Sequence, residues 1–446
     1  MSKTLYYIIK NIIPGSEKMD DLKDIKGTSK KNYCEPLLIN QIDLQDAGPR
    51  SRMYLGDLTG NNILDILMVQ PDTGIDDRYI PHQAQGLTAY SARGELLWQQ
   101  GRIHHEQKQG AGSDIPVQIY DIDGDGKNEV LCVQNKQFKI LSGKTGQEKN
   151  CFKLPGEYAH DCIIIANLQG KKRAEDIILK DRYKKMWALD NDFNELWTFT
   201  GNIGHFPWPH DLNGDGYEEI IAGYQVLNHK GDLLWSCDNL KEHADCIAVG
   251  NIITDNPDSK EIIIGGSCTV MYNHRGEELW RYDGSVESQH VALGRYRHDS
   301  KKIFIAGLDR IVRGGENARD ALFLLSTTGD EIWKENRDTP GWLTIIETLS
   351  NWQQENKDYI LAYRRGGGLM PALYDGYMNR VVTFPVEGQV MFGDIFGLNR
   401  QDVIIYNEKQ AFVFGSDNKN LGQKDQKPRA QSKRLAHITL YPGTEL

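Results

Sequence analysis

No stretch of this 446-residue sequence approaches the ~18 consecutive apolar residues of a bilayer-crossing helix, so it offers no helical membrane span. Cysteine is sparse and unpatterned. Cys34, Cys132, Cys151, Cys162, Cys237, Cys246 and Cys268 form no C-x-x-C pair and no other metal-ligand spacing, and an odd count leaves at least one thiol unpaired. Most of them read as small core residues. Positive charge is gathered nowhere: 52 Lys and Arg are outnumbered by 62 Asp and Glu, for a net charge of −10. That speaks against a nucleic-acid partner, which would want a basic stripe. The lysine-rich stretch 418–434 reads as a solvated loop. The opening MSKTLYYIIKNIIPGS starts basic, but Lys10 and Asn11 interrupt it before the ~7–15-residue core of a secretion signal is complete. It is a poor signal, and the compartment stays open.

What the sequence does have is a repeat. Residues 117–148, VQIYDIDGDGKNEVLCVQNKQFKILSGKTGQE, read as strand, acidic loop, strand, strand and turn. Related units begin near Met53, Cys162, Trp208, Cys246, His290, Trp342 and Val390. Five of them close on Trp98, Trp197, Trp235, Trp280 or Trp333, each preceded by Leu or Ile. A period of roughly 40–50 residues with four short strands per unit predicts the blades of a β-propeller. A tandem array of sandwiches would need roughly 100 residues per unit. The expectation is an all-β propeller of about eight four-stranded blades over residues 46–446, expected to be a monomer. Seven blades remain if the seventh or eighth unit is an insertion. Residues 1–45 are expected to form an extension or strap, and HITLY (437–441) to supply the eighth unit's last strand.

Two loops carry a full set of hard oxygen donors at alternating positions: Asp121, Asp123, Asp125 and Glu129, and Asp211, Asn213, Asp215 and Glu219. This is how a tight loop collects ligands around Ca²⁺, with glycine where the backbone bends sharply. The loop Asp57, Thr59, Asn61, Asp65 is an eroded copy. A filled oxygen cage leaves no open position for chemistry, so these ions are expected to be structural.

Antiparallel strands place these A–B loops on one face of the ring. The B–C turns and the crossings from one blade to the next lie on the other. The crossings supply His104, His105, Tyr158, His160, His205, His210, His243 and His290. The turns supply His82, Arg182, Tyr183, Tyr224, Arg310, Tyr363, Arg364 and Arg365. His82 and the pair His104/His105 sit in long loops that blade geometry does not need, a usual mark of function. The bland reading of the others is a repeat-consensus residue bonded to neighbouring backbone. A crown of His, Tyr and Arg suits β-elimination at a uronic acid. A cation neutralises the carboxylate, an imidazole or phenol near neutral pKa takes the C5 proton, and another group protonates the leaving oxygen. Asp161, Asp245 and Asp309 leave glycoside hydrolysis open, and a non-catalytic carbohydrate- or protein-binding propeller is the rival from another class.

DIDGDGKNE, DLNGDGYEE, the G-x-L-L-W blade ends and two histidines about 20 residues apart in the first blade resemble the propeller-fold polysaccharide lyases. The nearest are ulvan lyases and L-rhamnose-α-1,4-D-glucuronate lyases, with rhamnogalacturonan lyases more distant. The FG-GAP-like calcium loops are shared by integrin-type and lectin-type propellers. The resemblance covers most of the chain after residue 50. It implies His82 and His105 (or His104) as the acid–base pair, Tyr183 or Tyr224 as proton carrier, and Arg182 as partner of the uronate carboxylate. Tyr158, His160, His205, His243, His290, Arg310 and Arg364 are expected around the substrate. It further implies a rhamnose–glucuronate glycan and an exported enzyme. Some ulvan lyases carry a Cys/His zinc site, to which Cys246, Cys268 and His243 could contribute.

Overall fold

The computed structural model describes residues 35–416, apart from 238–239, 241–242, 254–259, 313–318, 337–344, 353–356, 366 and 399, together with 439–442 and 444–445. The lysine-rich stretch 418–434, Cys34 and most of the N-terminal extension lie outside these residues. Among them the strands form eight sheets, each built on four antiparallel strands; in blades 1 to 7 these four run in sequence order from the channel outward. Blades 1 to 8 begin with inner strands Arg52–Gly56, Val117–Tyr120, Ile163–Ala166, Trp208–His210, Cys246–Gly250, Ser288–Gly294, Ile345–Ser350 and Gln389–Gly393. The seventh and eighth units each form a sheet of their own, so the count is eight. No helix among the described residues is long and apolar enough to cross a membrane.

Burial explains the sequence pattern. Inner strands such as Ile163–Ala166 and Cys246–Gly250 are covered along their whole length, whereas the outermost strand Glu195–Thr200 alternates exposed and half-buried residues. Two-sided burial selects continuous β-branched runs, and one-sided burial selects alternation. The apolar core lies between blades, as where Trp352 and Phe384 of blade 7 meet Phe414 of blade 8.

Four of the five closing tryptophans are latches between blades. The indole Nε1 of Trp98 donates to Gly143 O (2.7 Å), Trp197 to His229 O (2.9 Å), Trp235 to His274 O (3.2 Å) and Trp280 to Thr327 O (3.0 Å). Each acceptor belongs to the C–D turn of the following blade. Each ring also lies against a left-handed glycine of that turn: a Cβ on Gly146 or Gly231 would stand 2.5 or 2.7 Å from the indole. A side chain there would be strained by backbone conformation and blocked by the ring. Blade 2 ends without tryptophan, and Phe152 stacks on Phe193 of blade 3 instead (4.7 Å).

The ring closes differently from expectation. Pro36–Asp43, from within the expected extension, is the outermost strand of blade 8, paired along Gln410–Ser416. The propeller therefore starts before residue 46, and the first described strand fastens the last blade. Thr439–Tyr441, the described part of HITLY, form a bend, and Thr444–Glu445 add a fifth strand to blade 5. That strand pairs in parallel with the inner strand Cys246–Gly250, Ala248 opposite Thr444 and Val249 opposite Glu445, so it lies in the central channel.

Candidate active site at the histidine-bearing mouth

Three connections converge on the face opposite the acidic loops. Tyr183 stands on the turn between Asp176–Lys180 and Lys185–Leu189 of blade 3. His205 lies on the crossing to blade 4, and His243 on the crossing to blade 5. Backbone bonds hold them in register: Ile203 N donates to Tyr183 O (3.1 Å) and His205 N to Ala244 O (3.2 Å). The His205 and His243 rings meet edge-on at 4.7 Å, with Tyr183 5.4 and 5.6 Å away. Each imidazole presents Nε2 to Asp245 Oδ1 at 3.7 Å. Gln289 Nε2 donates to the same oxygen (2.7 Å) and to Glu287 (3.3 Å), which pairs with Arg310.

Positive charge sits beside this ring cluster. Lys180, fully buried, donates from Nζ to Asp161 Oδ2 (2.6 Å) and Arg182 O (2.8 Å), while Arg182 reaches Asp161 Oδ1 (2.7 Å). Burial holds His205 well below the ordinary histidine pKa, and the charges of His243, Lys180, Arg365 and Arg182 act in the same direction. His205 is therefore a neutral imidazole at pH 7, able to accept a proton. Burial pushes the Tyr183 phenol up to about 12, with Tyr441 adding to the shift, so it keeps its proton as a donor would.

His205, His243 and Asp245 each offer one ligand atom within 4.8 Å of the others. Their donor types suit a transition ion, but the nearby ammonium and guanidinium groups repel a dication. The cluster holds the kinds of group that acid–base chemistry uses. The Cys/His zinc grouping does not form among the described residues: the groups in metal reach contain no cysteine. Cys246 is a buried thiol pushed up by burial, and Cys268 Sγ lies 3.5 Å from Arg281 Nη1.

His82 is fully buried, its Nδ1 2.9 Å from Asp72 and its Nε2 3.5 Å from Asp77. Its carbonyl accepts from His160 Nδ1 (3.0 Å), and Arg182 Nη2 donates to Asp77 O (2.5 Å). This arrangement anchors Arg182 and gives His82 no solvent face. His105 is exposed, His104 is tied through its backbone to Gln70 (2.8 Å), and Tyr158 is an exposed ring near His160. Arg364 lines a pocket with Tyr363, Arg365 and Leu440.

Some expected rim residues lie elsewhere. His210 is the last residue of Trp208–His210, opposite Glu219, and so belongs to the acidic-loop end. His290 is inside strand Ser288–Gly294, fully buried, and Arg310 is inside Phe304–Val312 rather than on a turn. These inner strands begin, or in blade 6 extend, further than periodicity indicates. Tyr224 is buried against blade 5: a Cβ on Gly266 would meet its hydroxyl at 2.1 Å. Lys180, Asp114 and Tyr441 were not picked out from sequence. Lys180 looks like an ordinary strand end, and the other two come to the mouth from distant parts of the chain.

The mouth holds a segment of the chain itself. Tyr441 stacks on His205 (3.6 Å, 7° between planes), and Arg365 lies over the Tyr441 ring (4.7 Å) while its Nη2 donates to Leu440 O (2.9 Å). Asp114 accepts from Thr439 Oγ1 and Leu440 N, both at 2.6 Å.

On the opposite face the two acidic loops have the expected turns. Gly124 N and Gly126 N donate to Asp121, and Gly214 N and Gly216 N to Asp211. The loop-closing carboxylates Glu129 and Glu219 each accept a backbone N–H, from Ile122 and Leu212, but so do Asp176 and Glu261 in blades without the acidic motif. That acid is a loop clamp first. In blade 2, Lys149 Nζ sits on Asp123 (2.5 Å) and Glu129 (2.8 Å). In blade 4 the corresponding bulge position is Leu234, and burial with Asp215 and Asp211 pushes Glu219 up to about 7. Both donor sets fit Ca²⁺ in kind, but in blade 2 an ion would meet an ammonium already in place.

No family model and no curated protein sequence matches this chain. Solved structures share its fold. An exotype rhamnogalacturonan lyase, YesX, matches with TM-score 0.60 and 16% identity over 86% of this chain and 74% of its own. The Bacillus licheniformis rhamnogalacturonan lyase PL11 gives 0.57 and 16% over 87% and 76%. The V. cholerae biofilm matrix protein Bap1 gives 0.56 and 12% over 94% and 98%. The resemblance to propeller-fold polysaccharide lyases thus holds at the level of fold.

Proposed function

We propose that this protein is a polysaccharide lyase that cleaves a uronic-acid glycan, of rhamnose–glucuronate type, by β-elimination at the histidine-bearing mouth. Arg365 neutralises the uronate carboxylate, with Arg182 adding positive field from its pair with Asp161, which makes the C5 proton removable. His205 takes that proton, the electrons form the C4–C5 double bond, and the C4–O bond breaks as Tyr183 protonates the leaving oxygen. The observation that carries this reading is a buried His205 packed with Tyr183 and His243 beside Lys180, Arg182 and Arg365. Asp77 O accepts from Arg182 and so fixes it in place, with His82 Nε2 3.5 Å from the Asp77 carboxylate. Ca²⁺ is the structural ion of the other face, bound by Asp211, Asn213, Asp215 and Glu219, and by Asp121, Asp123, Asp125 and Glu129 where Lys149 gives way.

The test is to supply ulvan, gum arabic side chains and rhamnogalacturonan, follow the absorbance of an unsaturated uronate, and weigh the products. Elimination leaves fragments one water lighter than hydrolysis does. Silence across all three glycans would sink the proposal. A second reading, a glycan-binding propeller without turnover, is favoured by the filled mouth and by the near full-length match to a biofilm matrix protein. Saturable binding with no new product would support it.

A further inference from the structure

We infer that the segment containing Thr439–Tyr441 and Thr444–Glu445 is a reversible plug of the lyase site, an inference that rests on the function proposed above. The segment enters at the histidine-bearing mouth and threads the channel. It meets Asp114 and Arg365 first, lays Tyr441 on His205, pairs with Ala248 and Val249, and ends with Glu445 Oε1 3.0 Å from His210 Nδ1, at the acidic-loop end. Its contacts fall on the groups the reaction needs. The phenol covers one face of the proposed base. A backbone carbonyl and an aromatic face occupy Arg365, the cation assigned to the uronate carboxylate. A pyranuronate ring and this segment cannot hold the same imidazole face and the same guanidinium together.

The attachment has the form of a removable part. Only two residues pair with the inner strand of blade 5, against four, five and six where the inner strands of blades 3, 5 and 6 pair with their own neighbours. The Arg365 bond to Leu440 O is only part-buried, whereas the two bonds to Asp114 are buried. A site that is open only a tenth of the time loses about ten-fold in apparent affinity, and removing the occupant restores it.

The experiment compares the full chain with one ending at residue 438, using a fluorescein-labelled peptide TLYPGTEL as probe. The shortened chain is expected to bind the peptide saturably, the full chain at least ten-fold more weakly, and Tyr441→Ala in the peptide to abolish the difference. The point variant Tyr441→Ala in the full chain guards against a shortened chain that fails to fold, and it is expected to raise kcat/KM several-fold on whichever glycan is cleaved. Equal peptide binding by both chains, or unchanged kcat/KM in the Tyr441 variant, would overturn the inference. Peptide docking with no turnover by any form would sink the lyase reading and leave the plug in place. Turnover without docking would do the reverse.

Discussion

The two mouths of the channel solve the same electrostatic problem in different ways. At the histidine-bearing mouth, Asp161 is buried with two cations of its own, Lys180 and Arg182, and His205 stays neutral beside them. At the other mouth, two loops of nearly identical spacing gather carboxylates near the surface, and only one has a lysine to meet them. Buried carboxylates need permanent partners, because leaving one charge uncompensated is costly. Surface carboxylates can share solvent or an exchangeable ion. One mouth therefore carries fixed, buried charge pairs, and the other carboxylates open to solvent or an exchangeable ion.

The largest expected effect tests that division directly. His205→Asn should lower kcat on a cleavable uronate glycan about 10²- to 10⁴-fold, the usual worth of a positioned base, with the thermal midpoint nearly unchanged. Asp215→Asn on the opposite face should leave kcat where it was and reduce thermal stability in Ca²⁺. Unsaturated-product absorbance and a thermal melt read the two. A loss of turnover at Asp215 as large as at His205 would erase the contrast. Next in size, Lys180→Met strips Asp161 of one buried partner and should cost about 3–5 kcal/mol in urea unfolding. Lys149→Met, at a half-exposed position, should cost about 1 kcal/mol or less.

A pH effect follows from Glu347 on the inner strand Ile345–Ser350, whose carboxyl is pushed from 4.5 up to about 8 by burial while Tyr363 donates to it at 2.5 Å. Its folded pKa lies above the unfolded one, so its stabilising contribution is complete below about pH 4.5 and is lost as pH rises through about 8. Glu347→Gln should flatten the decline of unfolding free energy across that window, by up to a few kcal/mol at roughly 1.4 per pH unit. Urea melts at pH 5 and pH 8.5 measure it, and parallel curves for variant and parent would contradict it.

The ring was legible in the sequence because the blades repeat a few physical requirements: a buried inner strand, in most a loop-clamping acid, and in four a tryptophan facing the next blade's glycine. Those signals are local, and they yield eight units. The closing strand Pro36–Asp43 escaped because its partner lies at Gln410–Ser416, and pairing at that distance leaves no local mark. The site was legible in part for a related reason. Tyr183, His205, His243 and Arg182 sit on turns whose face follows from strand direction. His210 and His290 were assigned to the rim because strand ends shift by a few residues, and a short shift moves a side chain from mouth to wall. Tyr441 was expected in the last strand of the eighth unit but stacks on His205 instead, since nothing in the sequence around it says which blade it will meet.

The smallest effect separates the two loops themselves. In the C–D pairs of blades 2 and 4 the outer strand carries one extra residue at the same place, Lys149 in one and Leu234 in the other. From there the Lys149 ammonium reaches Asp123 and Glu129, two of the donors an ion would need. A bound Ca²⁺ would have to expel that ammonium, whereas in blade 4 it would relieve the mutual repulsion of Asp211, Asp215 and Glu219. Calorimetric titration should thus find one Ca²⁺ site in the parent chain and two in Lys149→Met. Saturation at about 100 times Kd should add about 2.7 kcal/mol per site. Two sites of equal affinity in the parent would show that Lys149 yields freely, and the loops would then be equivalent after all.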